Sequence, residues 1–205
     1  MSQIVPEAYC DALLILNDSP KSLLPMSIIE MHLFSYLGCI LALFQGEPVG
    51  DWGYSYAVTE QGFPYSAEFE EARKILHTRN LFEMDDNNLQ QAVQPALSNE
   101  LAIMLDMESL QKRRLWIRAA MQCALTFPLG LIRAAVSQTP STELDIALRR
   151  TCRLLDTDDV KLLYEQYSIV HSVLGADAHD ILSPAVIWLS AKILKSEDGE
   201  IAVQH

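Results

Sequence analysis

An apolar run between Ser27 and Gln45 constrains the fold of this chain more than any other feature. Its sequence, SIIEMHLFSYLGCILALFQ, places apolar side chains on nearly every face of a helix. A helix that is hydrophobic all round is either buried in a core or spans a membrane. Glu30 and His32 interrupt the run, and the uncharged stretch after them is shorter than the roughly 18–20 residues that a span needs. We therefore predict that this segment is the central helix of a soluble domain.

The composition favours an ordered, helical protein. Half of the 205 residues are apolar and only 20% are charged, which argues against global disorder. The nine prolines lie mainly at apparent element boundaries, which favours helices. The N-terminus lacks the pattern of a secretory signal, so we expect a cytoplasmic protein. Widely spaced cysteines among apolar residues indicate buried free thiols in a reducing compartment: Cys10, Cys39, Cys123 and Cys152.

The first half of the chain has the element order of a winged helix. A helix over 6–17 precedes the central helix, and an aromatic strand over 52–56 follows it after a Gly/Pro loop. Ser66 is a predicted N-cap for a helix that ends near residue 80, and Leu81–Met84 is a short return strand. We predict that residues 1–97 form a winged-helix-like unit with a short β-hairpin.

The second half, residues 98–205, is predicted to be helical. We expect it to pack on the first half, either as a second domain or as part of one compact unit, so the fold is mainly α. The predicted boundaries are capping residues at Ser98, Ser109 and Thr157, a break at Pro128, a helix over 139–156, and a last helix that starts at Ser183.

The charge is distributed unevenly along the chain. The formal net charge is −12, which opposes binding to nucleic acid or to an anionic membrane. A basic stripe nevertheless lies on one predicted helix face beside Trp116, formed by Lys112, Arg113, Arg114 and Arg118. Such a stripe could meet a phosphate backbone, face a protein partner or form salt bridges within the chain. We favour the last two roles, and we predict these four residues as a contact surface.

An aromatic loop precedes the third predicted helix of the winged-helix unit. It contains Trp52, Tyr54, Tyr56, Phe63 and Tyr65. Trp and Tyr are enriched at the centres of protein interfaces, so these residues are predicted interaction residues. Packing of the same rings onto the core is an equal alternative.

No stretch carries a catalytic signature: Walker, Rossmann, nucleophile-elbow and H-E-x-x-H patterns are all missing. A loose cluster of His171, Asp177, His179 and Asp180 matches no defined metal spacing, and we interpret it as solvated loop residues. Glu30 and His32 lie two residues apart, so they point about 200° away from one another on a helix. We expect a satisfied core histidine and a rim glutamate there. The chain is predicted to be no enzyme and to hold no metal or cofactor.

Three segments carry a resemblance to a known family: LLPMSIIEMHLFSYLGCILALF, FPYSAEFEEARKILHTRNLFE and the later RRLWI. In this order they resemble the middle component of bacterial three-component systems built around an SMC-like ABC ATPase, to which Lamassu-type defence systems belong. The resemblance covers roughly the first 125 residues. It implies a non-catalytic accessory subunit that docks on the ATPase and on a nuclease effector in anti-phage or anti-plasmid defence. DNA contact would occur only within the complex.

Two other classes of function stay open. A winged-helix regulator or antitoxin would read DNA with the helix over 66–80, although the first turn of that helix carries three glutamates. A metal-dependent hydrolase would use His171 and His179. We rank the accessory subunit first and the hydrolase last.

Overall fold

The computed structural model describes residues 4–59, 62–137, 152–174 and 180–203. The prediction of a mainly α fold with a short β-hairpin is confirmed. The helices are α1 Pro6–Asp18, α2 Ile28–Phe44, α3 Ala67–Thr78, α4 Ala96–Leu105, α5 Glu108–Gln111, α6 Arg113–Thr126, α7 Leu129–Ser137, α8 Thr157–Leu174 and α9 Leu182–Val203. The strands are β1 Tyr56–Val58, β2 Pro64–Tyr65, β3 Phe82–Met84, β4 Gln90–Ala92 and β5 Cys152–Leu154.

Helix α2 is the centre of the fold, as the apolar run predicts. It begins with a capping box, in which the Ser27 hydroxyl accepts from the Glu30 amide and the Glu30 carboxylate accepts from the Ser27 amide. Every residue from Met31 to Phe44 is buried. The absence of a side chain at Gly38 lets α6 approach closely, because a Cβ there would lie 2.7 Å from Ile117 Cδ1. Among the described residues, no helix is both long enough and apolar enough to cross a membrane.

The first half of the chain has a winged-helix arrangement. Met26, between α1 and α2, exchanges two backbone hydrogen bonds with Gln90 of β4, at 3.2 and 2.8 Å. On its other edge β4 pairs antiparallel with β3. The order across this small sheet is therefore Met26, β4, β3, and α3 leads directly into β3. We call the turn between β3 and β4, residues 85–89, the wing.

The predicted strand over 52–56 is displaced in the structure. Trp52 ends a short 3₁₀ helix, and Gly53 then turns the chain with φ of 95°, so the extended segment begins only at Tyr56. This strand, β1, pairs with β2 and β5, whereas the return strand β3 pairs with β4. The two strands that the sequence predicts in this half consequently lie in different sheets.

Several predicted boundaries in the second half are wrong. Helix α4 begins at Ala96, and the Ser98 hydroxyl donates to the Asn17 side chain at 2.7 Å instead of capping. Ser109 lies inside α5. Asp156 rather than Thr157 caps α8, because its carboxylate accepts from two amides of the first turn, each at 3.0 Å. Helix α9 begins at Leu182, one residue before the predicted start, and the Asp180 carboxylate accepts from the Ser183 amide at 2.6 Å.

The prediction of a helix over 139–156 is wrong at residues 152–154. Residues 152–154 form β5, which pairs with β1, and residues 138–151 lie outside the described part. Because β5 is paired with β1 and α2 packs against α6, both halves of the chain contribute to one hydrophobic core. The division at residues 97 and 98 stays a prediction.

Candidate functional site

Arg113 organises a buried cluster between α1, α6 and the aromatic loop. Its Nε donates to Asp11 Oδ1 at 2.7 Å and its Nη2 donates to Asp11 Oδ2 at 2.5 Å. Its Nη1 donates to the Trp52 carbonyl at 3.0 Å. The guanidinium carbon lies 3.7 Å from the centroid of a Trp52 ring, which is a close cation–π contact. Arg113 thus fixes both α1 and the aromatic loop to α6.

Two tyrosines extend this cluster to α2. The Tyr54 hydroxyl donates to Asp11 Oδ2 at 2.5 Å. The Ser35 hydroxyl shares hydrogen bonds with the hydroxyls of Tyr54 and Tyr56, at 2.6 and 2.7 Å. The Trp52 indole donates to the Tyr56 hydroxyl at 3.0 Å. A buried polar network in which each member is satisfied specifies one arrangement of the elements that contribute to it.

The electrostatics of this cluster favour a structural role. Burial raises the pKa of Asp11, whereas the guanidinium of Arg113 and the Tyr54 hydroxyl lower it. The three donors on this carboxylate match its ionised form. Burial alone would lower the pKa of Arg113, but the Asp11 carboxylate outweighs it and holds that pKa above its ordinary value. The pair is therefore an ion pair closed to solvent.

The buried cysteines of α1 and α6, Cys10 and Cys123, have thiols that favour the protonated form. Burial raises the pKa of Cys10 to about 12, and the neighbouring Asp11 carboxylate adds to this. Burial likewise raises the pKa of Cys123 to about 12. Because the thiolate is the nucleophilic form of cysteine, neither residue is suited to nucleophilic catalysis.

The predicted interaction residues of the aromatic loop lie mostly in the core. Trp52, Tyr54 and Tyr56 are 3%, 8% and 3% exposed. Phe63 and Tyr65 are half-buried, and the Tyr65 ring stacks on His32 with centroids 4.8 Å apart. These rings pack the loop onto the core, the alternative that the sequence left open. A partner contact by them stays a prediction, and in this conformation the first three do not reach the surface.

The predicted basic face is paired with acidic residues of the same chain. Lys112 contacts Glu47 at 3.0 Å, and Arg114 and Arg118 contact Asp18 at 2.6 and 2.9 Å. Arg113, the fourth member, is 3% exposed and bound to Asp11. The stripe therefore offers less positive charge to a partner than its sequence indicates. A contact role for it stays a prediction.

A second buried polar cluster lies inside the winged helix. His32 on α2 is fully buried, and its Nδ1 accepts from the Ser66 amide at 3.2 Å. Its Nε2 lies 3.7 Å from a Glu70 oxygen and has no hydrogen-bond partner among the described residues. Burial lowers the pKa of His32, against the effect of Glu70. His32 is a core residue as predicted and Glu30 is used separately in the capping box, but the prediction that this histidine is satisfied is wrong for its Nε2.

Glu70 is held ionised by α3 itself. Both of its oxygens accept from the guanidinium of Arg73, at 2.8 Å each. Burial would raise the pKa of Glu70, but the hydrogen bonds from Arg73 outweigh it and lower that pKa to about 2. Arg73 also reaches the Gln90 side chain of β4 at 3.5 Å. This cluster connects the helices of the winged helix to its sheet.

The candidate metal residues do not form a site within the described residues. His171 is exposed on α8, and Asp180 accepts from the Ser183 amide and hydroxyl. Asp177 and His179 lie outside the described residues. Across 4–59, 62–137, 152–174 and 180–203, no group of three or more His, Cys, Asp or Glu side chains could hold a metal ion.

The outer surface of α3 and the wing is acidic. Glu68 and Glu71 are half-exposed on α3, and Glu83, Asp85 and Asp86 are exposed on β3 and the wing. Between Ser66 and Ala92 the chain has six acidic and three basic residues, a net charge of −3. Arg73 and Arg79, two of the three basic residues, form ion pairs with Glu70 and Glu100. This is the surface that a DNA-binding winged helix would turn toward the groove.

Sequence reasoning missed Asp11 and Ser35. A signal was present for Asp11, because it interrupts the apolar segment AYCDALLIL and a charge in such a position needs a buried partner. Ser35 carried no signal. No family model matches the chain, and neither the curated proteins nor the solved structures contain a match to it.

Proposed function

We propose that this chain is a non-catalytic accessory subunit whose winged helix docks on proteins. Its partners would be an SMC-like ATPase and a nuclease effector of an anti-phage or anti-plasmid system in the bacterial cytoplasm. The observation that carries the proposal is a winged-helix arrangement with an acidic outer surface. The resemblance of the first 125 residues to the middle components of such systems supports the identity of the partners.

The acidic surface favours proteins over DNA as the partner. Phosphate contacts from Lys and Arg supply most of the affinity of a protein for DNA. A recognition helix usually enters the major groove with its N-terminal residues. Here the first turn of α3 carries Glu68 and Glu70, with Glu71 next to them, and the wing carries Asp85 and Asp86. These carboxylates would face the phosphates at both contact points.

The internal use of ionisable groups favours a non-catalytic role. The Asp11–Arg113 pair joins α1 to α6, and the Glu70–Arg73 pair lies within α3 and positions Arg73 against Gln90 of β4. The buried thiols of Cys10 and Cys123 remain protonated at neutral pH. The ionisable groups of these clusters are therefore engaged in stabilising the fold.

The test is purification of the tagged full chain from its native host, followed by native mass spectrometry and identification of the subunits. We expect a long coiled-coil ATPase and a nuclease in a defined stoichiometry. Glu71→Lys should weaken the complex if the α3 surface is the docking site. Glu108→Lys, an equal charge change on exposed α5, is the matched control.

A titration of the purified chain with duplex DNA decides between the two leading functions. The proposed subunit should show no shift of duplex DNA at physiological salt. A chain that elutes alone and shifts DNA with a steep salt dependence would instead be a winged-helix regulator.

A further inference from the structure

The outer face of α6 carries four exposed residues at the spacing of a coiled-coil seam: Leu115, Arg118, Gln122 and Leu125. Their separations of three, four and three residues match successive a and d positions of a heptad repeat. On a helix these positions fall within an arc of about 80°. The buried residues of α6 lie on the other side and face the core. We call these four residues the α6 seam.

Two leucines form the apolar ends of the α6 seam. Leu115 is 53% exposed and Leu125 is 56% exposed. At a rise of 1.5 Å per residue they lie about 15 Å apart along the helix. A single exposed leucine is ordinary on a protein surface. Two leucines at a and d positions of one helix face are instead the side chains that a partner helix covers in a coiled coil.

The centre of the α6 seam is polar and carries a surplus positive charge. Arg114 and Arg118 share one carboxylate, that of Asp18, at 2.6 and 2.9 Å. Within the described part of the chain, neither guanidinium forms an ion pair with a second carboxylate. The Arg118 side chain is 54% exposed, so the unbalanced charge is accessible between the two leucines. Polar residues within a seam set the register and the choice of partner.

We propose that the α6 seam receives an amphipathic helix of a partner protein, whose apolar residues cover the two leucines and whose carboxylates face Arg118 and Gln122. A second copy of this chain is disfavoured, because pairing α6 with α6 would bring the surplus positive charge of both copies together. A phosphate backbone would leave both leucines in water. The inference deepens the proposed function by naming the chemistry of one partner segment, and it rests on that function only in requiring a protein partner.

The probe is a blocked, fluorescein-labelled peptide of about 20 residues, since shorter isolated helices are marginal in water. Successive a and d positions at its centre carry leucine, glutamate, glutamate and leucine, so that the pattern is the same for parallel and antiparallel docking. Alanine and glutamine, which favour helices, fill the remaining positions. The peptide is titrated onto the full chain and followed by fluorescence anisotropy.

Two comparison peptides separate charge from apolar packing. One replaces both glutamates by lysine, and the other replaces both leucines by glutamine, which keeps the helix propensity. The leucine–glutamate peptide should bind, and each comparison peptide should bind at least about tenfold more weakly. Failure of the leucine–glutamate peptide to bind, or equal binding by either comparison peptide, overturns the proposal.

Variants of the full chain test both parts of the α6 seam. Arg118→Glu should weaken binding of the leucine–glutamate peptide at least about tenfold and strengthen binding of the lysine peptide, because the charge pairing is reversed. The double variant Leu115→Ala with Leu125→Ala should also weaken binding at least about tenfold. The matched controls are Lys195→Glu and Leu194→Ala on the exposed side of α9, where Leu194 is 61% exposed. Both controls should leave binding unchanged.

Thermal unfolding of each variant checks the fold. In a folded protein, unchanged binding by Arg118→Glu or by the double leucine variant contradicts helix docking on this face. An equal loss in either control variant contradicts it as well.

The other possible occupants have their own signatures. Sedimentation equilibrium of the full chain should show a monomer, and a dimer that the double leucine variant abolishes would assign the α6 seam to a second copy. Duplex DNA binding that Arg118→Glu removes and the double leucine variant leaves unchanged would assign it to a phosphate backbone. Either of these results overturns the proposal.

The native complex distinguishes this proposal from the proposed function. We expect Arg118→Glu and the double leucine variant to recover less of the complex than the unmodified chain does. Full recovery by both variants would overturn the proposal and leave the proposed function intact. Binding of the leucine–glutamate peptide without any ATPase complex in the native host would have the reverse meaning.

Discussion

Replacing Arg113 by methionine tests whether the buried ion pair holds the fold together. Methionine keeps most of the aliphatic length that packs against Trp52, but it removes the guanidinium. Asp11, which is fully buried, would keep only the Tyr54 hydroxyl as a donor in place of three donors. Removing one partner of a buried pair costs roughly 3–5 kcal/mol, because the remaining charge is uncompensated.

The assay is urea unfolding followed by circular dichroism, with linear extrapolation to water. We expect Arg113→Met to lower the free energy of unfolding by about 3–5 kcal/mol, which corresponds to roughly 10 °C in Tm for a chain of this size. The matched control is Arg118→Met on the same helix. Arg118 is 54% exposed and pairs with Asp18, so this change should cost less than about 1 kcal/mol.

The double variant Asp11→Leu with Arg113→Met isolates the pair. Removing both charges leaves no orphaned ion, so the double variant should be more stable than Arg113→Met alone. Two results would refute the reasoning: equal losses for Arg113→Met and Arg118→Met, or a double variant whose loss equals the sum of the two single losses.

Three further predictions concern α2 and its neighbours. Burial holds the pKa of His32 in the folded protein below its ordinary value of about 6.5. The unfolded chain therefore binds the proton first, and the free energy of unfolding should fall as pH drops below about 6.5. Urea unfolding at pH 7.5 and 5.5 should show this loss, and His32→Gln should reduce it. Gly38→Val should lower the free energy of unfolding in urea by about 1–3 kcal/mol, because it forces α2 and α6 apart. Gly130→Ala is the control and should be neutral or stabilising, because open space surrounds Gly130. Equal losses would contradict the close approach of α2 and α6. Ser27→Ala should cost about 1 kcal/mol and Ser109→Ala almost nothing, because only Ser27 caps a helix; thermal unfolding of the pair decides this.

The features that the sequence predicts well are those set by neighbours within about four residues. Helix α2 follows from its apolar run and from the capping box of Ser27 and Glu30. Ser66 is the N-cap of α3, as predicted, and its hydroxyl accepts from the Phe69 amide. Pro128 separates α6 from α7. Each of these signals acts through a hydrogen bond or a steric clash between residues that are adjacent in the helix.

Boundaries fail where several residues of one type compete or where a distant strand intervenes. Asp156 and Thr157 are both good caps, and the structure uses the aspartate. Ser98 is a good cap by type, but α4 has already begun two residues earlier, and its hydroxyl bonds to Asn17. Residues 152–154 have a helical pattern in the sequence, yet their backbone pairs with β1. Long-range pairing outweighs a weak local preference.

The sequence by itself determined the central helix, the winged-helix order and the acidic total, because periodicity, capping and charge are local or additive properties. Only the tertiary structure decided which groups became partners. Asp11 and Arg113 are 102 residues apart and meet in a buried site. In the predicted basic face, Lys112 forms an ion pair with Glu47 and Arg114 forms one with Asp18, both within the same chain. An ion pair or a strand pair depends on distances of a few ångströms between remote segments, and those distances exist only after the core has packed around α2.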